Sequence, residues 1–220
     1  MTLKFLEFMK KINVLVWLMT MSIATSFAAD KVIKLSKPNM NRSTTLMKAF
    51  SERKSTREYS SKELSNADLS DLLWTANGIN RPDEKRTAPS AMDRKDVDVY
   101  VVLPDGAYLY DAKEHKLDLI SEGDYRAAVA GNGQDFVKSA PLSIVLVSEL
   151  SRLGDAKNPQ TQLMGAVDVG IVSQNIALFC AGANLATVPR ASMNRDLLKS
   201  ALKLTDTQLL LINHPVGYFK

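Results

Sequence analysis

Residues 160–185 form the longest stretch of the chain in which apolar side chains recur at helical spacing. Leu163, Val167, Ile171 and Leu178 share one side, and Asp168 is almost the only charge in the run. A helix apolar over most of its surface belongs in a core or in a subunit interface. The rest of the chain must therefore cover that helix, which requires a globular fold. The composition agrees, with 45% hydrophobic and 24% charged residues in 220. One Cys excludes a disulfide scaffold and a multi-cysteine zinc site, and two His are a poor basis for a metal centre. Cys180 lies inside the apolar run and is expected to be a buried, inert thiol.

The N-terminus has a different character. Lys4, Lys10 and Lys11 precede the apolar run Ile12–Ile23, and the small residues of 24–28 follow. This is the layout of a secretory signal peptide cut after Ala28. The run has 12 residues, well short of the roughly 20 that span a bilayer, which leaves a short uncleaved anchor as the alternative. The expected organisation is a leader at 1–28, an exposed polar arm at 29–42 and one folded domain at 43–220. Export to a bacterial periplasm follows, with no stable membrane span once the leader is removed. Residues 1–28 hold three Lys and one Glu, so their loss lowers the formal charge from +4 to +2. With no arginine-rich helix or aromatic-basic stripe, nucleic-acid binding is not expected.

Within the domain the pattern is mixed. Helices are expected at Ser43–Phe50, after the capping box Ser65-Asn-Ala-Asp68, at Asp124–Ala130, at Gln160–Leu185 and at Asn194–Leu202. Gly78 ends the second of these. Strands are expected at Val97–Leu103, at Ala107–Tyr110 after the turn Pro104-Asp-Gly106 and continuing to Leu119, at Leu142–Val147, and at Leu209–Ile212.

The chain has no nucleophile elbow, no Gly-Lys phosphate loop and no GxGxxG, and His115 and His214 lie in no catalytic context. The chemistry is expected to come from a cofactor. The densest signal is Arg53-Lys-Ser-Thr-Arg57, then Glu58-Tyr59. Alternate residues of an extended segment share a side, so Arg53, Ser55 and Arg57 can cradle a phosphate or ring carbonyl. A solvated charged turn is the other reading of the same residues.

This segment resembles the opening motif of the FMN-dependent nitroreductase family, Arg-x-Ser-x-Arg/Lys followed by an aromatic, here Tyr59. The similarity continues through Leu64–Arg81, the loop Arg86-Thr-Ala-Pro-Ser-Ala-Met92, Ala140-Pro141, Asp168-x-Gly170 with Gln174-Asn175, Val188-Pro189 and Val216-Gly217. It covers about residues 45–220 and is nearest the thiazole/oxazole dehydrogenase-like branch. The resemblance implies an α+β fold with a central, mostly antiparallel sheet flanked by helices. It also implies a homodimer with FMN at the subunit interface. Arg53, Lys54 and Ser55 would hold the phosphate and ribityl chain, and Lys220 would add a second phosphate contact. Arg57 would reach the pyrimidine edge of the ring. Pro189, Arg190, Ala191 and Ser192 would lie along it, with the Ala191 N–H facing N5. Asp93 stands where relatives usually carry an Asn at the ring edge. Hydride would pass through N5 in a ping-pong cycle, to or from a small organic substrate such as a nitroarene, quinone or azoline. NAD(P)H is a candidate donor, although an exported protein has no such pool. Asp93 and the leader keep open a low-turnover flavin-binding or electron-transfer protein, and more remotely an exported interaction domain without FMN.

Overall fold

The structure is a computed structural model and describes residues 31–42 and 44–220. The expected leader lies outside the described residues. The strands are β1 Val32–Lys34, β2 Val97–Leu103, β3 Gly106–Asp111, β4 Lys116–Glu122, β5 Leu142–Glu149, β6 Leu185–Thr187 and β7 Gln208–Tyr218. The helices are α1 Leu46–Glu52, α2 Asn66–Asn77, α3 Arg126–Ala130, α4 Pro159–Gly182 and α5 Arg195–Ala201. The strands form one seven-stranded sheet in the order β1-β4-β3-β2-β5-β7-β6, and every pairing is antiparallel. The α+β fold implied by the resemblance is the one observed.

β2 and β5 lie at the centre and are buried on both faces, so their side chains alternate between two cores. Val99, Val101, Ile144 and Leu146 pack with α2 and α4 on one face. Tyr100, Val102, Val145 and Val147 pack with α3 and α5 on the other. The capping box works as expected: the Ser65 hydroxyl accepts from the Asp68 N–H, and Leu69, Leu72, Leu73 and Ala76 are buried.

Three expectations are corrected. Residues 29–42 are not simply an exposed arm, because Val32–Lys34 pairs with β4 as an edge strand, Ile33 opposite Leu117. The long helix stops at Gly182, because Asn184 turns left-handed at φ 56° and Leu185 begins β6. The inward face of α4 is also not the one that the apolar spacing marks. Gly165, Asp168, Val169, Val172, Ser173, Ile176 and Cys180 face the core, while Leu163 and Val167 are exposed. The inner face is small and partly polar because α4 lies close to the sheet. A Cβ on Gly165 would meet Ser148 Oγ and stand 2.8 Å from Leu150 Cδ2. Burial pushes the Cys180 thiol up, which leaves it the inert residue expected. The helix is long and apolar enough to cross a membrane, yet its inner face belongs to the core on β5 and β7.

Two buried groups set the acid behaviour. Asp96 has no exposed surface; Ser148 Oγ donates to its Oδ2 at 2.6 Å and its Oδ1 has no partner. Burial pushes its carboxyl up to about 6, with neighbouring Asp168 adding to the rise. His214 is bonded to Ser173 Oγ at 2.7 Å, and burial pushes it down to about 3. Folded Asp96 holds a proton that the unfolded chain releases, so its contribution to stability is present at low pH and fades as pH rises through about 6. The unfolded chain protonates His214 below its ordinary 6.5 while the folded chain does not, so that contribution fades as pH falls. Between these limits the slopes oppose, each about 1.4 kcal/mol per pH unit. Asp96→Asn removes the first and exposes the second. The variant's stability relative to the parent should therefore drop as pH is lowered from about 6 to about 4, measured by urea unfolding. Parallel curves for the two proteins would refute this assignment.

Candidate functional site

The basic segment leaves α1 as extended chain and is held along the sheet edge. The Thr56 N–H donates to Thr187 O of β6 at 2.9 Å, and the Ser60 N–H to Tyr218 O of β7 at 2.9 Å. Tyr59 is buried, and its hydroxyl donates to Thr56 O at 2.9 Å. These bonds fix which way the intervening side chains project. Lys54, Ser55, Arg57 and the C-terminal Lys220 line one cleft of ≈ 390 Å³, together with Thr56, Glu58 and Phe219. Lys54 Nζ lies 5.5 Å from the centre of the Phe219 ring, a cation–π contact that steers the cation along the cleft wall. Three cations and two hydroxyls against one side-chain carboxylate make a donor set that fits a phosphate dianion. Arg53 is exposed beside this group as the C-cap of α1, where its N–H donates to Ala49 O.

The segment Val188–Ser192 follows β6 along β7. Pro189, Ala191 and Ser192 are exposed. Burial pushes the Tyr59 hydroxyl up, and the positive fields of Arg190 and Arg57 pull it back part of the way. The Thr56 N–H bond to Thr187 O sets residue 188 next to the basic segment, which places the start of the 188–192 segment beside the cleft.

Arg190 does not do what the resemblance implies. It is 7% exposed and its guanidinium is consumed inside the protein. Nε donates to Gln134 Oε1 at 2.8 Å, Nη1 to Val129 O at 3.1 Å and Asn213 Oδ1 at 2.7 Å, and Nη2 to Ala130 O at 2.9 Å. It caps the carbonyl end of α3, as a cation at a helix C-terminus should, and is not free to contact a ligand. Sequence reasoning missed its partners Gln134 and Asn213, which lie 56 and 23 residues away and carry no local pattern.

Asp93 is not brought to the cleft within one chain. It is exposed, at φ 56°, in a short 3-10 turn, and pairs with Lys95 Nζ at 3.3 Å. That turn is tied to the first half of α4 by the Ala91 N–H bond to Asp168 Oδ2, at 2.8 Å. Lys54 instead lies against Ala177 and Ala181 near the other end. At 1.5 Å per residue the two stations on the helix are about 14–20 Å apart. The histidines are structural: His214 is buried as described, and His115 is held by the Tyr110 hydroxyl at 2.8 Å and by Ser36 O at 3.0 Å.

The fold is a seven-stranded antiparallel sheet with a basic cleft at its edge that suits an anionic ligand. The sequence profile described as "Nitroreductase family" matches residues 50–218, and the chain belongs to that family. It is an FMN-dependent oxidoreductase of the family. A Methanocaldococcus jannaschii protein named for nitroreductase membership is 28% identical over 174 residues, covering 76% of this chain and 87% of its own. A nitroreductase-named crystal structure from Ralstonia eutropha superposes with a TM-score of 0.80 at 35% identity, covering 88% of this chain and 91% of that one. The Escherichia coli microcin synthetase McbBCD complex shares the fold at TM-score 0.68 and 16% identity, covering 77% and 70%.

Tyr59→Phe removes the bond to Thr56 O beneath the cleft. It should lower stability by about 1 kcal/mol, read from denaturant midpoints at unchanged m-value. An unchanged midpoint would show that this hydroxyl does not hold the segment in place.

Proposed function

We propose that the cleft formed by Lys54, Ser55, Arg57 and Lys220 takes the phosphate end of FMN, and that the 188–192 segment lies along its ring. The observation that carries this reading is the meeting of these four side chains, from the two ends of the domain, on one ≈ 390 Å³ cleft. Arg53 stands close enough in sequence to add long-range attraction without lining the cleft. FMN, when bound, supplies the hydride acceptor and donor. Lys54, Ser55 and Lys220 anchor and neutralise the phosphate. Arg57 lies toward the ring and favours the negative charge that the ring gains on reduction. Pro189 and Ala191 offer an exposed, largely apolar ledge, and the Ala191 N–H is the donor aimed at N5.

The reaction proposed is ping-pong hydride transfer to or from a small organic substrate, a nitroarene, quinone or azoline, with NAD(P)H as a candidate donor. The residues at 1–28 support export to a periplasm. Asp93 pairs with Lys95 at 3.3 Å, which offsets the negative charge on which the low-turnover reading rests.

The outward face of α4 supports a homodimer. Leu163 and Val167 are 55% and 45% exposed, and Gly170 on the same side has nothing within 4 Å of where a Cβ would be. A mid-helix Gly destabilises the helix by about 1 kcal/mol relative to Ala. No packing among the described residues requires it, whereas the close crossing of a second helix would. Exposed Leu46, Met47 and Phe50 of α1 extend the apolar surface.

The purified protein should release FMN on heating, identified by mass spectrometry. Arg57→Ala should hold it about tenfold less tightly, the loss of one charge-assisted bond. Protein that stays colourless after reconstitution would end the reading. Val167→Glu should turn a dimer into a monomer by light scattering and lower FMN occupancy. A monomeric parent would remove the interface.

A further inference from the structure

The segment Pro189–Ser192 has one feature that its exposure hides: its polar groups are used unevenly. Pro189 has no N–H. The Arg190 N–H donates to Asn213 O at 2.8 Å, and Arg190 O accepts from the Asn213 N–H at 2.7 Å. The Asn213 side chain then holds both flanks, its Oδ1 taking Arg190 Nη1 at 2.7 Å and its Nδ2 donating to Ser192 O at 3.0 Å. Between these two bonds stands Ala191, whose N–H meets no acceptor among the described residues. Successive N–H groups of extended chain point to opposite edges. Since that of Arg190 points at β7, that of Ala191 points away from the sheet. The guanidinium bonds to Gln134, Val129 and Ala130 attach the same residue to the other layer of the fold. The Phe136 ring lies 5.6 Å from the guanidinium carbon.

We infer that Arg190 and Asn213 are positioning residues that pin 190–192 so that the Ala191 N–H is presented outward as a fixed donor toward the flavin. This rests on the reading of the cleft given above. Neither residue touches the ring. Both are buried, at 7% and 0% exposure, so their effect passes through the main chain alone. A donor fixed before the ligand arrives needs no reorganisation when charge develops opposite it, and its displacement weakens the interaction without removing any ligand-contacting side chain.

The test uses the full-length protein and three variants, Arg190→Lys, Gln134→Ala and Asn213→Ala, each reconstituted with FMN. Two quantities are read beside FMN stoichiometry: the affinity of the bound flavin for sulfite, which adds to the ring where this donor acts, and trypsin cleavage after residue 190, mapped by mass spectrometry. The parent should resist cleavage there, and the variants should be cut. FMN stoichiometry should persist, while sulfite affinity falls about tenfold in Arg190→Lys and less in Gln134→Ala, which loses one bond of several. Full FMN occupancy with parental sulfite affinity and parental resistance at 190 would overturn the inference. If Arg190→Lys and Asn213→Ala do not fold, Gln134→Ala alone decides by the same two readouts. A parent that binds no FMN sinks the cleft assignment instead. The protease comparison still decides whether these side chains pin the segment: cleavage confined to the variants supports it, and equal resistance overturns it.

Discussion

Helix α4 can lie against β5 only because residue 165 is a glycine. A Cβ there would meet Ser148 Oγ and come within 2.8 Å of Leu150 Cδ2. Close approach sets the character of the first half of the inner face, which carries Asp168, Val169, Val172 and Ser173 before the larger Ile176. Those small and polar residues reach groups that bulky ones would bury. Asp168 bonds the Ala91 N–H and stands beside Asp96, and Ser173 bonds His214. Because small residues serve the tight inner contact, the larger aliphatics Leu163 and Val167 are left on the outer face. The sheet covers the inner face of this helix, and the outer face is the one on which the proposed subunit interface rests.

This explains what sequence periodicity could and could not reveal. The spacing of Leu163, Val167, Ile171 and Leu178 located the helix and marked a face that water should not touch, but it did not say which body covers that face. The inner face was invisible because Gly165, Asp168 and Ser173 do not score as apolar. Where local chemistry decides, the reading was close. Ser65 caps α2, Gly78 closes it, and β2 spans Val97–Leu103. Where a single left-handed residue decides, it failed: Asn184 divides what looked like one helix into a helix and the strand β6. The edge strand β1 was missed because only Ile33 is half-buried, so it shows no clear alternation.

The site shows the same division. Lys54, Ser55 and Arg57 were legible because they cluster in sequence, and the cleft that they share with Lys220 needed only the β7 terminus to return to the same edge. Arg190 was misjudged because residue type does not reveal direction. Arg57 projects into the cleft, while Arg190 turns inward and donates to four acceptors. Arg suits both tasks, since its planar fork satisfies several carbonyls at once and stays charged when partly buried. Only the partners, distant in sequence, distinguish a guanidinium that binds from one that braces.

The titratable groups constrain how protons can enter a reaction at this edge. His214 is buried and pushed down to about 3, so it carries no proton to give near neutral pH. His115 is also pushed down by burial and is bonded to Tyr110 and Ser36 at the other side of the sheet. Asp96 holds its proton up to about 6, but in the interior beside the first half of α4 and away from the cleft. Pro189, Ala191 and Ser192 are meanwhile exposed. What the described residues place at this edge is positive charge and main-chain donors, and much of the hydrogen bonding there holds residues 56–60 and 190–192 in place.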